Sequence, residues 1–388
     1  MRAGRLAAYC ANFVLFGASV VLIGAAVPEI IRDFNWSYLE TGAVLSGGAI
    51  GYFLSTFFSG FLVQDIGAKR TLVGGLILQG LGLLFIGQDT GVWPNLLAII
   101  LIGLGEGGNE VATNFCLLQL EKSGRSQLMN SVHATFTAGA ILGPLGVGFL
   151  LEHNLPWQNA FQVLGLLSLG MAYLFQRLSF ADLQITSGPV SIYQSLKLLQ
   201  RDGLLLTLTL IIFLYVGAEI GISNWIAEYF IQTRGATPAQ GAYMVSVFWL
   251  GLLAGRLLVA YGYRGRRQAP LLAATSILAT GGLAAALLAS SSWLSGLCFL
   301  ISGIGFAAVY PVTIVMAGQY FAKDQGLAIG TIATGGGIGA FLFPFAMSAL
   351  AASTGIGQAF WFYVAISLAM TLMAGLAFRK DPRTDAKS

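Results

Sequence analysis

The feature that most constrains this chain is a train of apolar stretches, each close to the roughly 20 residues an α-helix needs to cross the hydrocarbon core of a bilayer. Charges or Pro/Gly clusters interrupt the train and leave about twelve such segments. They lie near Ala7 to Ile31, Glu40 to Val63, Thr71 to Gly87, Asn95 to Leu120, Leu128 to Leu151, Ala160 to Gln176, Leu204 to Glu228, Gln240 to Tyr261, Ala269 to Ser290, Leu294 to Tyr320, Leu327 to Ala352 and Ala359 to Phe378. Hydrocarbon offers a free peptide group no partner, so the segments must be helices, and the period-two alternation of a membrane barrel is absent. Hydrophobic residues make up 56% of the chain and charged residues 9%, too few to clothe a water-soluble globule. The expected fold class is therefore an all-α membrane protein with twelve transmembrane helices.

The net charge of +4 points to orientation rather than to nucleic acid. Arg2, Arg5, Lys69, Arg70, Lys122, Arg125, Arg177, Lys197, Arg201, Arg264, Arg266, Arg267, Lys323 and the tail residues Arg379, Lys380, Arg383 and Lys387 all fall at the termini or in even-numbered loops. Only Arg32 and Arg234 fall in odd-numbered ones. The positive-inside rule then puts both termini in the cytoplasm, which requires an even number of spans, and predicts a multi-pass protein of the cell inner membrane. The first segment is longer than a signal-peptide core and reads as a retained helix. Cys10, Cys116 and Cys298 sit singly in apolar segments, where a small soft side chain packs well, and imply neither a disulfide nor a metal site.

The sequence repeats itself. Gly103-Leu-Gly105 returns as Gly303-Ile-Gly305, and Gly139-Ala-Ile-Leu-Gly-Pro144 returns as Gly339-Ala-Phe-Leu-Phe-Pro344, both at a separation of 200 residues. Gly17-Ala18 and Gly217-Ala218 keep the same spacing, while Gly60 with Gly67 answers Gly255 with Gly262 at 195. Two halves of six helices each would be parallel in topology, as in transporters whose halves rock about a central site. The predicted division is 1–178 for the first bundle, 179–203 for a cytoplasmic linker and 204–388 for the second bundle. Within the linker Ile192, Leu196 and Leu199 recur at helical spacing and predict a short surface helix. Glycines inside the segments, such as Gly47-Gly48, Gly51 and Gly335-Gly-Gly337, let helix backbones approach closely.

The loop after the second segment, Gly60-Phe-Leu62-Val-Gln64-Asp65-Ile-Gly67-Ala-Lys69-Arg70, resembles the signature of the major facilitator superfamily between its second and third helices. It departs at one place: Gln64 stands where the family usually has an acid, and the acid is next door at Asp65. The fourth segment lacks the membrane-embedded Arg common in drug-exporter branches. Nearly the whole chain resembles, more narrowly, the fucose permease group of sugar transporters. The resemblance is carried by Glu110-Val-Ala-Thr-Asn114, by Met129-Asn130-Ser-Val-His133 running on to Gly139, and by Tyr215-Val-Gly-Ala-Glu219 with Trp225. Tyr310-Pro311 and Gly335-Gly-Gly337 fit the same group. It implies the major facilitator fold, two pseudo-symmetric six-helix bundles, and associates the acid matching Glu110 with proton coupling and sugar recognition. A second family acid, in the first helix, matches Gly24 here, so coupling would draw on Glu219 instead or run without protons.

An ionisable group at membrane depth costs roughly 2.5 to 3.5 kcal/mol on insertion scales, so each is a functional candidate. Glu106, Glu110 and Asn114 follow one another at i, i+4 and i+8 and share one stripe of the fourth segment, the arrangement expected of a proton carrier facing a cavity. Glu106 has the plainer alternative of a solvated place near a cavity mouth. His133 could orient the Glu110 carboxylate or share its proton, although a lone helical His is more often a packing residue. Glu219 lies between Gly217 and Gly221 and answers Ser19 of the other half; an acid found in one copy only is not needed by a shared scaffold. Arg256 reads as a structural latch or as a partner for an acid. Sugars are held by amides and hydroxyls over a stacked aromatic ring. Asn12, Asn114, Asn130 and Asn224, with Gln79 and Gln319, supply the amides; Trp225, Trp249, Tyr215 and Tyr310 supply the rings. Trp36, Trp93 and Trp293 read as interface anchors.

The leading expectation is a secondary active transporter of a small solute, a sugar before others, working by alternating access with proton or Na⁺ coupling through Glu110 and Glu219. The alternative is an exporter or flippase of an amphipathic or lipid-like solute, which the 12% aromatic content would also suit. An enzyme is not expected: the chain has no nucleotide-binding loop, metal-ligand cluster or nucleophile triad, and no cofactor is called for. The expected partners are the solute, a coupling cation and the bilayer, with the protein a monomer.

Overall fold

The computed structural model describes residues 2–120, 127–178, 199, 202–263, 268–321 and 325–380. All regular structure among them is helical. The helices are α1 (Arg2–Phe34), α2 (Tyr38–Asp65), α3 (Ala68–Phe85), α4 (Val92–Leu120), α5 (Gln127–Glu152), α6 (Gln158–Arg177), α7 (Gly203–Arg234), α8 (Pro238–Leu257, continued by a π-helical turn Leu258–Gly262), α9 (Gln268–Leu288), α10 (Ser292–Phe306), α11 (Val309–Tyr320), α12 (Gln325–Thr354), α13 (Ile356–Ala359) and α14 (Trp361–Lys380). Among the described residues eleven helices are long and apolar enough to cross a membrane. α10 with α11, and α13 with α14, each form one such span, Ser292–Tyr320 and Ile356–Arg379. The sixth predicted segment is helical, as α6, but is not one of the eleven; Gln158, Asn159, Gln162 and Gln176 dilute its apolar character. The predicted linker lies outside the described residues except for Leu199, Asp202 and Gly203. Asp202 caps α7, its Oδ1 accepting from the backbone N–H of Leu204 at 2.8 Å and of Leu205 at 3.0 Å.

Two compact units divide the chain, Met1–Pro189 with Thr237–Ser246, and Val190–Ala236 with Val247–Ser388. In the first, α2 and α3 pack on α4, α1 packs on α5, and α3 packs on α6. In the second, α12 and α14 pack on α7, and α9 packs on α10. The glycines permit these approaches. A Cβ on Gly139 would overlap the carbonyl of Val14, and one on Gly339 the carbonyl of Phe213; Gly103 meets the carbonyl of Gly48 as Gly303 meets that of Phe248.

The 200-residue register reaches into the caps and turns. Asn35 (φ 53°) and Gly235 (φ 64°) both take the left-handed conformation that ends a helix. Ser37 then starts α2 with a capping box: its Oγ accepts from the Glu40 N–H at 3.2 Å, and its own N–H donates to Glu40 Oε2 at 2.8 Å. Thr237 and Gln240 repeat the exchange at 3.2 and 3.0 Å before α8. Trp93 and Trp293 are 79% and 77% exposed at equivalent helix starts, as interface anchors are. Trp36 departs from that expectation: it is buried, and its indole N–H donates to the Thr90 carbonyl at 2.9 Å, closing a loop from inside.

The two basic residues that break the orientation pattern are both tied down locally. Arg32 pairs with Glu29 and, at 3.0 Å, with Asp33. Arg234 donates to the carbonyls of Ala286 (3.1 Å) and Leu287 (2.9 Å), satisfying the last turn of α9. In the signature loop Lys69 does the same for α6, donating to the carbonyls of Gln176 (2.6 Å) and Leu178 (3.0 Å). Gly67, at φ 90°, makes the turn that presents it.

Candidate functional site

In the first unit the polar stripe of α4 is answered by side chains from three other helices. The Tyr52 hydroxyl of α2 donates to Glu110 Oε2. Asn114, one turn on, also hydrogen-bonds the Glu110 carboxylate. Its Oδ1 lies 3.0 Å from His133 Nε2 of α5. The imidazole is half-buried and takes the edge of Phe13, ring centres 5.0 Å apart. Tyr52, Glu110, Asn114 and His133 thus form one hydrogen-bonded chain across α2, α4 and α5, in which a proton gained by the Glu110 carboxyl or the His133 ring changes what its neighbours can donate or accept. Asn130 is part of α5, but its side chain lies outside the described residues.

Glu106 stands apart from that chain. It is 7% exposed, faces Ser19 of α1, and its Oε1 has no hydrogen-bond partner among the described residues. Asn12 lies further along the same helix pair and is fully buried. Its Nδ2 donates to Asn109 Oδ1 at 2.6 Å and to Thr113 Oγ1 at 3.2 Å, while Asn109 Nδ2 lies 3.4 Å from Gln79 Oε1 of α3. These bonds tie α1, α3 and α4 together with both side-chain functions of Asn12 in use, so Asn12 serves an internal network. Asn109 is the new member here; its sequence signal is only that it precedes Glu110.

In the second unit Tyr215, Glu219 and Ser223 share one stripe of α7. The Tyr215 hydroxyl donates to Glu219 Oε1 at 2.6 Å. The Arg256 guanidinium of α8 acts electrostatically on Glu219 and hydrogen-bonds Tyr215, so the acid sits in a three-member cluster with a cation. Tyr310 of α11 lies beside it, 6.3 Å from the Tyr215 ring centre and 37% exposed. Trp249 donates its indole N–H to Ser223 Oγ at 2.8 Å. Asn224 and Trp225 are buried but lie off the stripe. Tyr363, missed in the sequence, is fully buried against Gly221, and its hydroxyl has no hydrogen-bond partner among the described residues.

The repeat relates the two clusters. Ser19 and Glu106 correspond, 200 residues on, to Glu219 and Phe306. Each unit therefore carries a carboxyl at the equivalent helix pair, on opposite members of the pair.

A train of apolar helices, a 200-residue internal repeat and carboxyls held at membrane depth by Tyr, Asn and Arg define a multi-pass membrane transporter scaffold. The chain belongs to the Major Facilitator Superfamily, whose profile matches residues 8–301 and 263–388. It is 22% identical over 355 residues to a Yersinia pestis protein called Protein TsgA homolog, covering 90% of this chain and 88% of the relative. A Saccharomyces cerevisiae relative, Bypass of stop codon protein 6, is 24% identical over 278 residues, 64% of this chain; the match spans only 55% of that protein. The fold is similar to that of a bacterial homologue of the human lysosomal transporter Spinster in its inward-facing, unoccupied form, with TM-score 0.80, 14% identity and 97% of both chains covered. It is similar to FucP in the outward conformation with TM-score 0.68 and 18% identity, covering 96% of this chain and 98% of the other. For the xylose transporter XylE from E. coli, inward open, the values are 0.78 and 14%, with 100% and 98% covered.

Proposed function

We propose that this protein is a secondary active transporter of a small solute, a sugar, and that a coupling cation, a proton before Na⁺, is handled by the carboxyls of Glu110, Glu219 and Glu106 with His133. The observation that carries the reading is the hydrogen-bonded chain from Tyr52 through Glu110 and Asn114 to His133. It holds a carboxyl at membrane depth with neutral partners, so a proton can come and go without stranding a bare counter-charge. Support for a sugar comes from the resemblance to the fucose permease group and from a fold shared with FucP and XylE. Asn114 and, in the second unit, Tyr310, Tyr215 and Trp249 are the groups we assign to the solute, with Asn130 assigned to it from the sequence alone; Asn224, Trp225 and Asn12 fill supporting places.

Uptake by proteoliposomes, followed with labelled monosaccharides at two pH values, tests the reading. Wild-type uptake is expected to rise with an imposed proton gradient, and Glu110→Gln is expected to remove that dependence. Retained coupling in Glu110→Gln would sink the proton assignment. Transfer of a lipid analogue in place of any sugar would sink the solute assignment and favour the exporter or flippase.

A further inference from the structure

We propose that the outer face of α1 and α6 in the first unit binds one anionic phospholipid, its acyl chain lying in an apolar groove and its headgroup against Arg177. The groove has a volume of about 520 Å³ and is walled by Val14 and Leu15 of α1 and by Leu166, Gly170 and Leu174 of α6. Leu166 is 62% exposed and Leu174 42%, an arrangement that water would penalise and hydrocarbon accepts. From Leu166 to Leu174 the helix rises about 12 Å, against about 15 Å for the hydrocarbon of one leaflet. The groove is therefore about as long as one leaflet is deep.

Charge marks which end faces the headgroups. Leu166, Gly170, Leu174 and Arg177 recur at i, i+4, i+8 and i+11, so Arg177 closes the stripe that lines the groove. Its guanidinium lies 5.0 Å from the centre of the Tyr173 ring and donates to the Tyr173 hydroxyl at 2.9 Å, held back along α6 rather than pointing away. At the same end of α6 Lys69 is bonded to the Gln176 and Leu178 carbonyls. A cation closing an otherwise apolar stripe complements a phosphate with acyl chains, and an anionic headgroup is preferred over a zwitterionic one. Gly170 matters because a Cβ there would meet nothing within 4 Å, so the groove is open at that point and can be filled without displacing protein atoms.

The test is native mass spectrometry of the full chain titrated with phosphatidylglycerol and, separately, with phosphatidylcholine of the same acyl chains. The wild type is expected to retain the anionic lipid more, and Arg177→Gln is expected to cut that preference about fivefold, the factor one basic side chain contributes at a membrane surface. Gly170→Leu is expected to lower retention of both lipids by filling the groove, with Ala11→Leu closing it from α1 should the first variant not fold. Equal retention of the two lipids by the wild type would overturn the headgroup assignment. Unchanged retention in the groove-filling variants would overturn the site. A dimer peak abolished by Gly170→Leu would give the groove to a second copy of the chain and also refute the lipid reading.

Discussion

Neutralising Glu219 alone should damage the protein more than neutralising Glu219 and Arg256 together. Glu219 is 7% exposed, accepts from Tyr215 at 2.6 Å and faces the Arg256 cation. Glu219→Gln leaves that cation without its counter-charge in a low-dielectric setting, a loss of about 3 to 5 kcal/mol for a buried pair. Arg256 is half-buried rather than sealed, so the lower end, about 3 kcal/mol, applies. Spread over 388 residues at about 2.1 cal/mol/K each, this is a fall of about 4 °C in Tm. Glu219→Gln/Arg256→Gln removes both charges and should recover most of that fall, because desolvation of the pair offsets much of its attraction. Thermal unfolding of detergent-purified protein, followed by intrinsic fluorescence, reads Glu219→Gln, Arg256→Gln and the double variant. Equal Tm in Glu219→Gln and wild type, or a double variant less stable than either single one, would refute the reasoning. Uptake separates function from fold: the double variant should be stable yet uncoupled if Glu219 also carries the cation.

Further outcomes follow from other contacts. Gly139→Ala puts a methyl onto the Val14 carbonyl and should cost about 1–3 kcal/mol, whereas Gly146→Ala, where a Cβ meets nothing within 4 Å, should be neutral or stabilising by up to about 1 kcal/mol; thermal unfolding compares them. Tyr52→Phe removes the donor to Glu110 and should move the pH midpoint of uptake, while an unmoved midpoint would detach Tyr52 from that carboxyl. Thr237→Ala should cost about 1 kcal/mol through loss of the α8 cap, seen as a lower Tm with uptake per folded molecule unchanged.

The spans and their glycine contacts were legible because both rest on local rules: length against bilayer thickness, and small residues where backbones meet. Gly139 and Gly339 could be paired from the sequence, and their overlaps with Val14 and Phe213 show why no side chain fits there. The caps were half legible. Ser37-x-x-Glu40 and Thr237-x-x-Gln240 are both capping-box patterns, but the residue types differ and hide their common register. Partners across helices were legible only where a charge asked for one, as with His133 near Glu110 and Arg256 near an acid. Nothing in the composition of α2 assigns Tyr52 to Glu110, 58 positions away, and nothing distinguishes Asn12, committed to Asn109 and Thr113, from an amide free for a solute. Trp36 misled for the opposite reason: a Trp at a helix end fits an interface anchor by type, and only the Thr90 carbonyl turns it inward.

The return of the copies to one count has a practical consequence for anyone cutting or splicing this chain. Asn35 and Gly235 stand 200 residues apart, as do Gly105 and Gly305, while between them Gly60 and Gly67 answer Gly255 and Gly262 at 195, so the shift around the end of α2 and α8 is made good before α4 and α10 and those helices share one phase. Deleting a single residue inside α4 would turn everything beyond it by about 100° and swing Glu110 and Asn114 away from Tyr52 and His133. Tags, sensors and split points therefore belong in the connections between helices, where length can change without turning a carboxylate toward the lipid.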